Sequence, residues 1–251
     1  MNSIAKTTLT VGAISAAALG LLFALHSSNQ ETTTMTAHAA SVGSPPAGPN
    51  LGRTPEYDYD PPTPGTYELP VLQSAADGTV VGPDGKAVRL HELLDGRVAI
   101  LSFIYTRCSD PKACMRATGV LSELHELSRH DPAVARHLQL ITLSFDPGYD
   151  TPEVMERYGN VFRRGEGGAE WLFLTTRSQA ELQPLLKAYG QRVDKRKKPS
   201  ALGPYQHMLR VYLIDSEKRI RNIYSYGLLD PRLVLADVKT LILEEKALAR
   251  N

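Results

Sequence analysis

Two nearly continuous apolar runs, Val98–Tyr105 (VAILSFIY) and Leu138–Phe145 (LQLITLSF), constrain the fold more than any other feature of the chain. Each has the length and the β-branched and aromatic content of a strand buried on both faces, which requires cover on each side of its sheet. Between them Ala117, Val120, Leu121, Leu124 and Leu127 recur at helical spacing. Strand, helix and strand in that order predict a parallel pair joined by a right-handed crossover.

The rest of the domain follows from punctuation. Thr151 as N-cap with Pro152 at the first helical position predicts a helix start. Trp171–Thr175 reads as a short strand. Ser178-Gln179-Ala180-Glu181 matches a capping box before a helix whose apolar face carries Leu182, Leu185, Leu186 and Tyr189. Leu209–Ile214 and Arg219–Tyr224 flank the turn-like Asp215-Ser216-Glu217-Lys218 and read as a hairpin. Asp230-Pro231 opens a last helix with Val234, Val238, Leu241 and Ile242 on its apolar face. A βαβ half followed by a ββα half is the thioredoxin arrangement, an α/β fold with a central mixed sheet and helices on both faces.

Ahead of this domain the chain reads as an anchor and a spacer. The uncharged run Thr8–Leu25 after Lys6 is at the lower limit for crossing a bilayer as a helix, which predicts a membrane segment over residues 1–26. Ala37-His38-Ala39 offers a small-residue cleavage site for the alternative, a removed signal peptide, but lies far beyond the apolar run. Residues 27–66, rich in Ser, Thr, Ala, Pro and Gly, read as a semi-stiff linker with too few large apolar groups to offset ordering entropy. The thioredoxin-like domain then spans residues 67–251. Without the Arg-rich pattern of a transit peptide, the expected location is a bacterial inner membrane, single-pass, with the domain on the periplasmic side and Lys6 inside. A net charge of +1 gives no general attraction to nucleic acid.

The chain has two cysteines, Cys108 and Cys114, too few for a disulfide scaffold and so read as a site, the alternative being an inert structural disulfide of the kind common outside the cytoplasm. Cys108 directly follows the first buried strand and Cys114 sits where the next helix begins. Sites in open α/β sheets form at the carboxyl ends of strands, and a helix N-terminus favours the thiolate. Arg107 adds a neighbouring positive charge. Of seven histidines, His26 and His38 fall in the anchor and linker; His125, His130 and His137 read as a solvated helix face and its exit. His91 opens a short helical segment. His207 immediately precedes the expected strand Met208–Ile214, in the loop that faces the cysteines in a thioredoxin-type fold. Met208 is a soft donor, but strand alternation would turn it to the other face.

Several motifs together resemble the SCO/SenC family of copper chaperones. They are Phe103-Ile104-Tyr105-Thr106-Arg107-Cys108 with Cys114, Asp146-Pro147 with Asp150-Thr151-Pro152, Trp171–Thr175, Tyr189-Gly190, and His207 ahead of Val211–Asp215. The resemblance covers roughly Tyr67 to Glu244 and the N-terminal anchor. It implies a thioredoxin fold that holds a copper ion, Cu(I) or Cu(II), through Cys108, Cys114 and His207. It also implies a copper-accepting client, a subunit of cytochrome c oxidase. Two thiolates and an imidazole suit copper in either state. The chain departs from the family pattern in having five residues between the cysteines instead of three, with Met115 in place of a proline. Gln206 and Met208 flank the histidine where aspartate and serine are usual.

The rival reading is a membrane-anchored thiol–disulfide oxidoreductase using Cys108 and Cys114 as a redox pair, because a dithiol can be either metallated or oxidised. Against it stands the absence of Cys-x-x-Cys spacing. A peroxidase reading is weaker, because Thr106-Arg107-Cys108 does not place a threonine and an arginine around one peroxidatic cysteine. Asp146 ends a strand near the site, and Asp150 reads as a helix cap or a partner for a basic group. Lys195-Arg196-Lys197-Lys198 reads either as a solvated loop or as a docking patch for an acidic partner.

Overall fold

A computed structural model describes residues 57–249 except Asp95, Arg164 and Pro199. The expected anchor and most of the linker lie outside the described residues. Among the described residues no helix is long and apolar enough to cross a membrane.

In chain order the elements are β1 (Gln73–Ser74), β2 (Thr79–Val81), β3 (Ala87–Arg89), α1 (Leu90–Leu93), β4 (Val98–Ile104), α2 (Cys114–Arg129), α3 (Pro132–His137), β5 (Leu138–Ser144), α4 (Pro152–Phe162), β6 (Glu170–Leu174), α5 (Gln179–Ala188), β7 (Val193–Lys195), β8 (Tyr205–His207), β9 (Val211–Ile214), β10 (Arg219–Tyr224) and α6 (Pro231–Leu248). Six strands form the central sheet in the order β1-β10-β9-β4-β5-β6. β4 and β5 pair in parallel, in register from Val98↔Leu138 to Ile104↔Ser144, and β6 continues the parallel set. β9 runs antiparallel to both β4 and β10. The result is the mixed α/β sheet expected of a thioredoxin-like fold. Every residue of β4 and β5 is buried, so both faces of the sheet centre are covered, as two unbroken apolar runs require.

The helix starts obey their local chemistry. Thr151 accepts from the Val154 N–H with Pro152 in the first turn of α4, and Asp230 caps α6 ahead of Pro231. Ser178 accepts from the Glu181 N–H, but the Glu181 carboxylate reaches back to the Arg177 N–H at 3.1 Å, one residue earlier than a capping box prescribes.

Two expectations are corrected. The strand after the histidine begins at Val211, not Met208, because the Met208 N–H donates to the Arg192 carbonyl at 3.3 Å and leaves the β9 ladder. The stretch read as the end of the linker is fastened to the domain by its phenols: Tyr57 donates to the Leu229 carbonyl at 3.0 Å and Tyr59 to Asp230 at 2.6 Å. Each bond satisfies a polar group at the head of α6, and the rings bring apolar area with them.

A candidate metal centre of two cysteines and one histidine

Beyond Ile104 the chain leaves β4 through Tyr105-Thr106-Arg107 and enters the loop that carries Cys108; α2 then begins at Cys114. Two carboxylates fix this loop. Asp150, fully buried, accepts from the Thr106 N–H at 3.0 Å and from the Thr106 and Ser144 hydroxyls. Asp146 accepts from Arg107 at 2.6 Å and from the Tyr205 hydroxyl at 3.0 Å, while the Arg107 guanidinium lies 4.0 Å over the Tyr149 ring. Asp150 therefore neither caps α4, which Thr151 does, nor pairs with a base. The five residues between the cysteines close on Asp110, whose carbonyl accepts from the Ala113 N–H and whose carboxylate accepts from the Lys112 N–H.

His207 ends β8, where it pairs with Val193 of β7, so it is held on a hairpin and not in an open loop. The connection between the two strands packs on the cysteine loop. Tyr105 donates its hydroxyl to the Leu202 carbonyl at 2.9 Å, and Ser109 donates to the Ala201 carbonyl. Gly203 makes this approach possible: its φ is +99°, and a Cβ there would stand 2.2 Å from the Tyr105 hydroxyl. The His207 ring packs between Phe145, 4.9 Å away between centroids, and Tyr105 at 5.8 Å.

These supports bring the three chemical groups together. His207 Nε2 lies 3.7 Å from the Cys108 sulfur and 3.4 Å from the Cys114 sulfur, and all three ligand atoms fall within 4.8 Å of one another. Both thiols are free and buried, and His207 is half-buried. Among the described residues no other group of three or more His, Cys, Asp or Glu side chains converges in this way.

The two thiols are unequal. A hydrogen bond from Cys114 holds the Cys108 thiol down to about 4, and His207 and the backbone N–H groups of Asp110 and Cys114 add to it against the opposing effect of burial. α2 begins at Cys114 without a side-chain N-cap, so its first backbone N–H groups face the cysteine loop with no capping side chain. Burial first, and the neighbouring Cys108 second, push the Cys114 thiol well above the ordinary value. The two sulfurs are thus pushed in opposite directions, Cys108 toward the thiolate and Cys114 toward the thiol. Two sulfurs and an imidazole nitrogen at this separation are a donor set for a soft or borderline cation.

The profile of the SCO1/SenC family matches residues 76–243. The chain belongs to the SCO1/SenC family. A candidate copper-binding protein of Stutzerimonas stutzeri is 37% identical over 100 residues, which is 39% of this chain and 44% of that relative, less than half its length. The apo Sco1 protein of Thermus thermophilus has a similar structure, with 26% identity and a TM-score of 0.57 over 72% of this chain and 97% of that one. Copper-bound ScoI of Bradyrhizobium japonicum shares the fold at 24% identity and a TM-score of 0.54, covering 67% and 99%.

Of the other SCO1/SenC-region residues singled out from sequence, Met208 is exposed beside His207. His130 is exposed against Glu126, and His91 donates to the Ala75 carbonyl at 2.9 Å. His125, read as solvated, is buried with its ring 6.0 Å from that of Trp171, and burial lowers its pKa. Sequence reasoning missed Tyr105, Thr106, Ser144, Phe145 and Gly203 as supports of the site. Tyr105, Ser144 and Phe145 belong to the apolar runs or their ends, where nothing in the pattern separates core from site wall.

Proposed function

We propose that this chain is a copper metallochaperone that delivers copper to, or prepares the copper site of, a respiratory enzyme such as cytochrome c oxidase. The observation that carries the reading is the convergence of Cys108, Cys114 and His207 from three separate segments within 4.8 Å. Membership in the SCO1/SenC family and the copper-binding relative support copper as the cargo. The Cys108 thiolate is ready to bind without losing a proton, whereas Cys114 must give one up, so loading releases protons and weakens as pH falls. His207, the half-buried member, is the donor that an incoming ligand meets first. The reading includes residues 1–26 as a membrane tether that places the domain on the periplasmic side. N-terminal sequencing of the native protein tests that part: an intact N-terminus supports the tether, and a chain starting after Ala39 removes it.

Copper titration of the reduced and the oxidised protein tests the function. One copper per reduced chain, and little on the oxidised one, is expected because a disulfide consumes both thiolates. Equal stoichiometry in both forms would refute it. One observation favours a second reading, a thiol–disulfide oxidoreductase that reduces client cysteines: two free thiols, Cys108 and Cys114, stand together, and the Cys108 pKa is shifted down toward the attacking thiolate. Disulfide exchange does not require His207, which separates the two.

A further inference from the structure

We propose that the β7–β8 hairpin is a docking platform that presents lysines to an acidic face of the metal-accepting protein and so seats that protein over His207. The inference rests on the copper-carrier reading and names the surface and charge of the partner. Between Val193 and His207 the sequence holds four basic residues, Lys195, Arg196, Lys197 and Lys198, and one acidic residue, Asp194. Asp194 is held by Arg192 at 2.8 Å, so it does not offset the lysines. Arg196 is turned inward: its side chain donates to the Tyr205 carbonyl at 3.1 Å, and its N–H to the Pro204 carbonyl at 2.8 Å, which clamps the hairpin. Lys195, Lys197 and Lys198 are exposed, and among the described residues no carboxylate pairs with them. The run is therefore divided, with one cation building the hairpin and three left to solvent.

Position gives these charges a use. Lys195 pairs with Tyr205 and Val193 pairs with His207, so Lys195 stands one step of alternation from the histidine on the same face of the ladder. The loop beyond Lys198 leans on the cysteine loop through the Tyr105–Leu202 and Ser109–Ala201 hydrogen bonds. Leu202 and Met208 on the same hairpin are exposed apolar groups, 39% and 45% accessible. A cationic rim with two apolar contacts beside a half-buried donor matches the layout of a transient protein interface, where charge steers the encounter. Because the chain as a whole carries a net charge of only +1, the attraction is local and orients the partner. A membrane surface is the other anionic occupant, but it would cover His207, and an acceptor needs that donor open.

The test uses the full-length protein and the variant K195Q/K197Q/K198Q, with K246Q on exposed α6 surface as control. Binding of poly-L-glutamate to the metal-free protein is measured first, so that the result does not depend on copper. Expected is binding that falls at least fivefold in the triple variant and in 0.5 M salt, with K246Q unchanged. Cu(I) transfer from the loaded protein is then timed to two peptides, each with a copper-binding cysteine pair, one tailed with glutamates and one with serines. The glutamate-tailed peptide should take copper roughly tenfold faster, the scale of electrostatic steering, and the triple variant should erase that advantage. Poly-L-glutamate binding that is absent or unaffected by the triple substitution overturns the proposal. So does triple-variant-sensitive binding to phosphatidylglycerol vesicles without binding to poly-L-glutamate, which would make the patch a lipid contact. Failure of the wild-type protein to load copper counts against the copper reading, and the poly-L-glutamate arm then decides the docking surface by itself.

Discussion

His207 Nε2 lies 3.4 Å from the sulfur of Cys114, a residue 93 positions earlier in the chain. The contact is made by elements that belong to different parts of the fold: the N-terminus of α2 supplies the thiol, and the end of β8 supplies the imidazole. The aromatic contacts of Phe145 and Tyr105 fix the ring between them.

Removing the imidazole should separate metal binding from thiol chemistry. His207→Ala is expected to lower copper affinity by at least about tenfold, roughly 1.4 kcal/mol, a modest loss for one ligand of three. The reduction potential of the Cys108–Cys114 pair should move far less, since neither sulfur is touched. Competition titration against a Cu(I) chelator and redox equilibration against glutathione measure the two quantities; wild-type copper affinity in the variant would remove His207 from the site.

The inequality of the thiols predicts unequal reactivity. In the metal-free protein the rate at which iodoacetamide modifies Cys108 should be nearly flat from pH 6 to 9, because its pKa of about 4 leaves it ionised throughout. Cys114 should react slowly over the same range. A thiol pKa depressed below an ordinary value of about 8.5 stabilises the fold most fully above that value, and the contribution is lost as pH falls through about 4. Mass-resolved alkylation giving both cysteines the same rising profile up to pH 9 would contradict the arrangement.

Asp150 carries an opposite pH signature. Burial raises its pKa against the hydrogen bonds of Ser144 and Thr106. A carboxyl raised above its unfolded value stabilises the fold below that unfolded value and loses the contribution as pH rises through the folded one. Denaturant titrations should therefore show wild type gaining stability relative to Asp150→Asn between pH 7 and pH 4. Asp150→Ala should cost about 1–3 kcal/mol near neutral pH, because the Thr106 N–H and two hydroxyls lose their acceptor in a buried place, and more toward pH 4.

Gly203→Ala should loosen the hairpin from the cysteine loop. The new methyl would fall 2.2 Å from the Tyr105 hydroxyl on a backbone at φ +99°, so a cost of about 1–3 kcal/mol is expected. Thermal unfolding gives the stability change. Loss of the Tyr105–Leu202 hydrogen bond should accompany it and weaken copper binding. An unchanged melting temperature would show that the loop adapts.

The sequence exposed whatever depends on local periodicity or local capping. β4 and β5 were legible because Val98–Ile104 and Leu138–Ser144 are apolar at every step but a few, and α4 because Thr151-Pro152 is a start signal with a mechanism. β7 and β8 were hidden because three-residue strands such as Val193–Lys195 are too short for alternation to register. The β2–β3 hairpin had a usable signal, Pro83-Asp84-Gly85, with Gly85 at φ +74°. Solvation of His125 was misjudged because α2 buries more than one stripe of apolar residues, taking in Thr118, His125 and Ser128 as well. The Asp150–Thr106 tie spans 44 residues, and no local rule anticipates it.

The arrangement proposed for the site is a single copper ion held between Cys108, Cys114 and His207. X-ray absorption spectroscopy of the reduced, Cu(I)-loaded full-length protein tests it most directly. Two sulfur ligands and one imidazole nitrogen per copper are expected, with the nitrogen scattering lost in His207→Ala and with Cys108→Ala and Cys114→Ala each losing one sulfur. A wild-type spectrum without imidazole scattering, or one unchanged by any of the three substitutions, would contradict it.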